Sequence, residues 1–113
     1  MKILVCGGRD YADYDAVCRH LDQIQGVTMV IQGGARGADA LAKRWAAERN
    51  IHCAEVPAIW RPHGVLDRTA GPKRNRAMLR LGPDAVVAFP GGAGTADMMR
   101  AAIEACVKVW RIY

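Results

Sequence analysis

The sequence lacks serine altogether and has no long apolar run, and each absence excludes a class of protein. Without a serine, an enzyme with a serine nucleophile is excluded. No apolar stretch approaches the roughly 18 residues that a transmembrane helix needs, so we expect no membrane partner. The apolar stretch at the N-terminus is too short for a signal peptide and is typical of a first strand, which predicts a cytoplasmic protein.

Two nucleotide-binding signatures and the usual metal-binding patterns are also missing. The P-loop pattern GxxxxGK[ST] does not occur, and no GxGxxG pattern follows the first predicted strand. The four cysteines lie far apart, with no CxxC pair and no histidine at metal-ligand spacing. We therefore expect Cys6, Cys18, Cys53 and Cys106 to be reduced and buried, and we expect neither a metal nor a cofactor.

What is present is a regular alternation of apolar and amphipathic segments along all 113 residues. It predicts strands over 2–6, 28–32, 52–56, 84–89 and 108–112, helices over 13–24, 37–49, 73–81 and 95–106, and a loop over 57–72. Strands that alternate with helices predict one α/β domain, a Rossmann-like doubly wound parallel sheet with helices on both faces. The simplest order of five strands is 3-2-1-4-5, with the topological switch point between the first and fourth strands.

The positive charge of the chain is concentrated in one segment. The net charge is +5, and residues 61–80 hold six basic side chains against one acidic side chain, so the rest of the chain is balanced. A concentrated basic segment favours an anionic partner such as a nucleotide, a nucleic acid or a phosphosugar. A solvated helix face would have the same composition.

Three glycine-rich turns each follow a predicted strand, at Gly7–Asp10, Gly33–Gly37 and Pro90–Thr95. Glycines let the backbone come close to a ligand, and the first N–H groups of a following helix are unpaired, so such a turn is typical of a phosphate site. In a parallel sheet the three turns lie at the same edge, which predicts one ligand surface. The candidate ligand-binding residues are Gly7, Gly8, Arg9, Asp10, Gly33, Gly34, Ala35, Arg36, Asp39, Arg74, Asn75, Pro90, Gly91, Gly92, Gly94 and Thr95.

Several of these side chains have a structural alternative to ligand contact. Thr95 is expected at the N-cap or in the first turn of its helix, where its hydroxyl could cap the helix or bond a phosphate oxygen. Asp39, in the first turn of another helix, suits the helix dipole. Asp10 could accept from a ribose hydroxyl or stabilise its own turn.

Basic and aromatic residues also have two possible roles, contact with a ligand or a structural role. Arg9 and Arg36 stand beside glycines and could reach an anion. Arg74 could hold a phosphate in a bidentate manner, while Asn75 could contact a base or ribose or cap its helix. Trp60 could stack on a base or anchor its loop.

The motifs together resemble the SLOG superfamily of Rossmann-like nucleotide binders. Pro90-Gly-Gly-Ala-Gly-Thr95 resembles the PGGxGTxxE motif of the lonely-guy phosphoribohydrolases, and Arg74 and Met78 match the spacing of their RKxxM segment. The segment 34–42 is similar to the GxAxGIDxxA segment of DprA. With Gly7-Gly-Arg-Asp10 and Ala70-Gly-Pro-Lys-Arg-Asn75, nearly the whole chain looks most like the YspA branch, related to YpsA.

The chain departs from the hydrolase pattern at two positions. The glutamate that closes PGGxGTxxE in the hydrolases corresponds to Met98, and the lysine of the RK pair corresponds to Asn75. A carboxylate is needed at the first position to stabilise an oxocarbenium-like ribose or to position water. Asp97, Asp39 or Asp10 could replace it, with Asp97 and Arg74 as the catalytic candidates.

Three functions follow from the resemblance and the residues. The first is a binding or sensing module for a nucleotide or nucleotide-derived ligand. The second is an N-glycoside hydrolase acting on a phosphorylated nucleoside, and the third is a single-stranded nucleic-acid-binding protein, suggested by the DprA-like segment and by residues 61–80. The resemblance to the hydrolases also implies a homodimer.

Overall fold

The chain forms a five-stranded sheet with helices on both faces, in a computed structural model that describes residues 1–113. The strands are β1 Lys2–Cys6, β2 Met29–Gln32, β3 His52–Glu55, β4 Ala85–Ala88 and β5 Lys108–Arg111, and the helices are α1 Tyr14–Leu21, α2 Ala38–Glu48, α3 Ala70–Leu79 and α4 Ala93–Glu104. The sheet is parallel throughout in the order β3-β2-β1-β4-β5, which confirms the predicted fold class and strand order.

The side chains of β1 alternate between two apolar cores, as the period of a strand requires. Ile3 and Val5 face a core that includes residues of α1 and α2, whereas Leu4 and Cys6 face a second core that includes residues of α3 and α4. Because both faces of the central strand are covered, it reads as a continuous apolar run. The helices therefore lie in two layers around the sheet.

The topological switch point lies between β1 and β4, where the prediction placed it. The two strands are neighbours in the sheet, and Cys6 pairs with Ala88 at their carboxyl ends. The residues that follow, Gly7 and Phe89, therefore leave the sheet side by side. In open α/β sheets a ligand crevice forms at this position.

Helix α3 begins earlier than the sequence predicted. The predicted start was residue 73, because Gly71 and Pro72 read as breakers, but the helix starts at Ala70. Pro72 is the third residue of the helix, where the backbone N–H would have no partner inside the helix, so proline removes no hydrogen bond there. The loop before α3 contains a short 3₁₀ turn, Pro62–Gly64.

Helix α4 also begins early, at Ala93 rather than at residue 95. Gly92 is its N-cap, so Thr95 is the third residue of the first turn and is not the cap. The helix ends at Glu104, before the predicted end. Helix α1 starts at Tyr14 rather than at residue 13, because Asp13 is its N-cap and its carboxylate accepts a hydrogen bond from the Ala16 N–H at 3.0 Å. It ends at Leu21, before the predicted end at residue 24.

The structure contains no helix that could span a membrane and no disulfide bond. All four cysteines are free, as predicted, but only Cys6 is buried. Cys106 is exposed in the turn after α4, and Cys18 of α1 and Cys53 of β3 are half-buried at the border of the first core.

Candidate ligand-binding site

The turns after β1 and β4 are bonded directly to each other. The N–H of Gly8 donates to the carbonyl of Pro90 at 2.8 Å. A Cβ on Gly91 would overlap the Thr95 hydroxyl, and a Cβ on Gly7 would overlap the Cβ of Ala38. Glycine is therefore required at Gly91 by packing within its own turn and at Gly7 by packing against α2.

A cleft of about 550 Å³, here called the main cleft, opens where these turns meet. Its walls come from five parts of the chain: the turn after β1, the loop before α2 with the first turn of that helix, the loop before α3, α3 itself and the first turn of α4. Its lining comprises Cys6, Gly7, Gly8, Arg9, Ala35, Asp39, Trp60, Arg68, Gly71, Pro72, Arg74, Asn75, Met78, Gly92, Ala93, Gly94, Thr95 and Asp97. The volume lies within the range of small-molecule sites, about 300–1,000 Å³.

The first turn of α4 presents unpaired backbone donors to the main cleft. The first hydrogen bond of this helix runs from the Ala96 N–H to the Gly92 carbonyl, so the N–H groups of residues 93–95 have no helical partner. No side chain caps the helix. Unpaired N–H groups and the helix dipole together favour an anion at this end.

Two glycines of this turn are not required by the protein's own packing. A Cβ on Gly92 or Gly94 would meet no atom within 4 Å, and neither residue has a positive φ. They differ in this respect from Gly91, whose Cβ would overlap Thr95. The space above Gly92 and Gly94 is open, and both residues line the main cleft.

Three guanidinium groups line the main cleft without an ion pair to a carboxylate: Arg9, Arg68 and Arg74. Arg74 is held in place by two acceptors, since its Nη1 donates to the Gly33 carbonyl at 2.9 Å and its Nε to Asn75 Oδ1 at 3.2 Å. The cleft is thus lined by three guanidinium groups and two carboxylates, those of Asp39 and Asp97, and one of the guanidinium groups is fixed in position.

Asn75 is buried and joins α3 to α4. Its Nδ2 donates to the Gly94 carbonyl at 3.2 Å and to Asp97 Oδ2 at 3.0 Å, while its Oδ1 accepts from Arg74. Both the amide nitrogen and the amide oxygen of Asn75 thus hold neighbouring residues of the site in place. Asn75 positions both a guanidinium group and the first turn of α4.

The carboxylate of Asp97 is saturated by donors. It accepts from Arg76 at 2.8 Å, from Arg100 at 3.1 Å and from Asn75 at 3.0 Å. The Arg76 guanidinium is the main cause of the lowered pKa of Asp97, and Asn75 and Arg100 act in the same direction, although partial burial opposes them. Asp97 is therefore an ionised member of an ion-pair cluster at the edge of the main cleft.

The carboxylate of Asp39 is buried, and it organises the loop after β2. Its Oδ2 accepts from the N–H groups of Gly33 and Ala35, both at 3.2 Å. Burial raises the pKa of Asp39, and the two backbone donors and Arg74 oppose this only in part. Burial also raises the pKa of the neighbouring Cys6 to about 12, so this residue is a neutral thiol on the cleft floor.

A second cavity of about 410 Å³, here called the side chamber, adjoins the main cleft. It is lined by Arg9, Gly33, Gly34, Ala35, Arg36, Pro57, Ala58, Trp60 and Arg74. The guanidinium carbon of Arg9 lies 5.4 Å from the centroid of the Trp60 ring. Arg9 and Trp60 line both cavities and form part of the wall between them.

The structure brings most of the predicted binding residues to these two cavities and leaves three outside. Asp10 is exposed and pairs with Arg36 at 3.3 Å. Pro90 contributes its carbonyl to the bond with Gly8, and Gly91 packs on Thr95. None of Asp10, Pro90 and Gly91 lines either cavity.

Sequence reasoning did not select several residues that line the main cleft: Cys6, Arg68, Gly71, Pro72, Met78 and Ala93. For Arg68 the available signal was its place in the basic segment 61–80. Trp60, for which both roles were left open, lies at the cleft with 39% of its surface exposed. The sequence around Trp60 has no local pattern that predicts where its ring lies in the folded chain.

Met98, at the position of the hydrolase glutamate, is fully buried. It belongs to the second core with Leu4, Met78 and Ala102, and it does not line the main cleft. In this chain the position faces the apolar layer between α4 and the sheet. A glutamate there would place a charge in the core.

A parallel sheet in this order, with a cleft at its switch point, is typical of Rossmann-like binding modules for nucleotide-related ligands. The chain belongs to the YspA, cpYpsA-related SLOG family, whose family model matches residues 1–63. The matched part contains the turns after β1 and β2 and ends before α3.

Two further similarities extend over almost the whole chain. The Gene 61 protein of Mycobacterium phage D29 is 36% identical over 119 residues, which cover 96% of this chain and 93% of the phage protein. The crystal structure of Acinetobacter baumannii MurG is similar with a TM-score of 0.57 at 18% identity, over 97% of this chain. The chain spans only 34% of that MurG chain, and the likeness concerns the fold alone.

Proposed function

We propose that the protein binds a nucleotide or nucleotide-derived ligand in the main cleft and acts as a binding or sensing module. The phosphate lies over the first turn of α4, and the nucleoside part extends along the cleft toward α3 and Trp60. The observation that carries the proposal is the open space above Gly92 and Gly94. Family membership and the Rossmann-like fold support the same class of ligand.

Gly94 costs helix stability that the packing of the protein does not account for. Glycine inside a helix is less favourable than alanine by about 0.5–1 kcal/mol, and Gly94 is the second residue of α4. No atom of the protein occupies the place of its Cβ, so the fold does not explain this cost. A ligand phosphate that approaches the backbone closely does explain it.

The charges of the cleft support an anionic ligand. Arg68 and Arg74 line it without a carboxylate partner, and Arg74 is already oriented by Gly33 and Asn75. A preoriented guanidinium loses little freedom when it binds a phosphate oxygen. Backbone N–H groups, fixed guanidinium groups and an aromatic ring together supply contacts to phosphate, ribose and base.

The proposal is tested by a thermal-shift screen of the purified protein against nucleoside mono- and diphosphates of all four bases, followed by chromatography of each mixture. A ligand at 100 times its Kd stabilises the fold by about 2.7 kcal/mol. We expect a rise in Tm with at least one nucleotide, which is then recovered intact. The absence of a shift with every nucleotide at millimolar concentration would contradict the proposal.

A second candidate function, hydrolysis of an N-glycosidic bond, is favoured by one observation. Asp39 is a buried carboxylate with a raised pKa on the wall of the cleft, and such groups are enriched at catalytic sites. Against it, Met98 lies in the core, and Asp97 is saturated by basic partners with a lowered pKa. Release of free base in the chromatographic step, abolished by Asp39→Asn with the fold intact, would favour this candidate.

A further inference from the structure

The side chamber shares Arg9, Ala35, Trp60 and Arg74 with the main cleft, so the two cavities form one branched space. At about 410 Å³ it is large enough for a ring-bearing group. A mononucleotide with its phosphate at α4 would occupy the main cleft and leave the side chamber empty.

Three backbone donors of its glycine loop are already used. The N–H groups of Gly33 and Ala35 donate to Asp39, and the Gly34 N–H donates to Gln32 at 2.6 Å. These three N–H groups are therefore not available to a phosphate, unlike those of the first turn of α4. The loop forms one wall of the chamber with backbone atoms that are held in a fixed conformation.

The remaining lining combines apolar surface with guanidinium groups. Pro57, Ala58 and Trp60 supply the apolar part, and the guanidinium groups are those of Arg9, Arg36 and Arg74. Arg36 pairs only with Asp10, and both side chains are at least 75% exposed, so a ligand can compete for this guanidinium at little cost. Such a lining suits a ring that carries polar groups at its rim, since the ring can pack on the apolar residues while its polar groups accept from the guanidinium groups.

We infer that the side chamber is a second subsite for the same ligand, and that this ligand is two-ended. It is a nucleotide whose diphosphate bridge carries a second ring-bearing group, as in a dinucleotide with a 5′–5′ linkage. The diphosphate bridge lies at the first turn of α4, and the first nucleoside lies along α3 in the main cleft. The second half of the ligand passes Arg74 and Arg9 and places its ring against Trp60 in the side chamber. The inference rests on the proposed function and adds the class of ligand.

The test compares mononucleotides with dinucleotides by isothermal titration calorimetry. The probes are the 5′-monophosphates of adenosine, guanosine, cytidine and uridine, together with the 5′,5′-diphosphate dinucleotide of each. For the base that binds best, we expect the dinucleotide to bind at least tenfold more tightly than the monophosphate.

Two variants of the side chamber sharpen the comparison. Ala58→Trp fills the chamber, and Arg36→Gln removes an exposed guanidinium that does not line the main cleft. Both should abolish most of the advantage of the dinucleotide while the affinity for the monophosphate stays within about twofold. Arg61→Gln, the same change at an exposed residue that lines neither cavity, should leave both affinities unchanged.

The outcomes separate this inference from the proposed function. Suppose that the monophosphate binds and the dinucleotide binds no more tightly, or that Arg36→Gln leaves the ratio of the two affinities unchanged. The inference of a second subsite is then wrong, and the proposed function stands. If no probe binds, both are wrong. Should Ala58→Trp fail to fold, Arg36→Gln still decides the question, because its side chain is exposed.

Discussion

The Arg74 guanidinium donates through Nη1 to the carbonyl oxygen of Gly33 at 2.9 Å, and this bond joins α3 to the loop after β2. The two residues are far apart in sequence but meet at the boundary between the main cleft and the side chamber. Arg74 is therefore both a fixed positive charge for a ligand and a connection within the site. Its removal should affect binding and stability together.

Replacing this guanidinium should weaken nucleotide binding strongly. A hydrogen bond to a charged group contributes about 1.5–3 kcal/mol, so Arg74→Gln should lower affinity by about 10- to 100-fold and destabilise the fold by about 1–3 kcal/mol. Arg74→Lys should restore little, because an ammonium group cannot donate to Gly33 and to a phosphate in the same planar geometry.

Calorimetry and urea unfolding measure the two effects of Arg74→Gln. Arg80→Gln is the matched control, since Arg80 lies at the other end of α3, has no ion pair and lines neither cavity. Equal affinities of the Arg74→Gln and Arg80→Gln variants would show that Arg74 does not contact the ligand.

The ion-pair cluster of Asp97 should make stability depend on acid pH. Its pKa is lowered in the folded protein, so its ion pairs stabilise the fold above the ordinary pKa of about 3.9 and are lost as the pH falls through the folded-state pKa. Asp97→Asn should reduce stability by about 1–2 kcal/mol at pH 6 and by much less at pH 2.5.

Urea unfolding of wild type and Asp97→Asn at the two pH values measures this difference. Asp39 has the opposite effect on the pH dependence, because burial raises its pKa, but it is common to both proteins and cancels in the comparison. A loss of stability in Asp97→Asn that is the same at pH 6 and at pH 2.5 would mean that the cluster is not electrostatic in origin.

Trp60 should report ligand binding by its fluorescence. Its ring is 39% exposed at the wall between the two cavities, whereas Trp45 is buried in the core. A bound base or sugar that covers the ring should change the emission intensity and shift the maximum. Trp60→Phe should lose this signal while calorimetry still detects binding, and a persistent signal in that variant would assign it to another tryptophan.

Gly91 should be required by the fold itself. A Cβ there would overlap the Thr95 hydroxyl and lie 2.7 Å from the backbone nitrogen of Gly8, and backbone atoms cannot move aside cheaply. We expect Gly91→Ala to lower the free energy of unfolding by about 1–3 kcal/mol, as overpacking does. An unfolding midpoint in urea equal to that of wild type would contradict the packing described for the two turns.

The sheet was predictable because its signal is local. Apolar runs such as Lys2–Cys6 and Ala85–Ala88 mark buried strands, and short connections with right-handed crossovers leave few possible strand orders. The start of α3 was mispredicted because Pro72 was taken as a breaker, although a proline in the first turn of a helix removes no hydrogen bond.

The site was predictable only in part, for a physical reason. The glycine turns are visible in the sequence because they need special backbone geometry. The positions of Arg68 and Trp60 depend on the path of an irregular loop, and the partners of Asp97 depend on the packing of α3 against α4. Neither has a period or a spacing that the sequence reveals.

The most direct test of the account is to measure folding stability and nucleotide affinity together in Gly94→Ala. The account predicts a free energy of unfolding that is equal to or up to about 1 kcal/mol above that of wild type, because alanine favours helix and its Cβ meets no protein atom. It also predicts nucleotide affinity at least tenfold weaker, while Ala96→Gln, on an exposed face of the same helix, leaves affinity unchanged. Unchanged affinity in a well-folded Gly94→Ala would contradict a phosphate site at the first turn of α4.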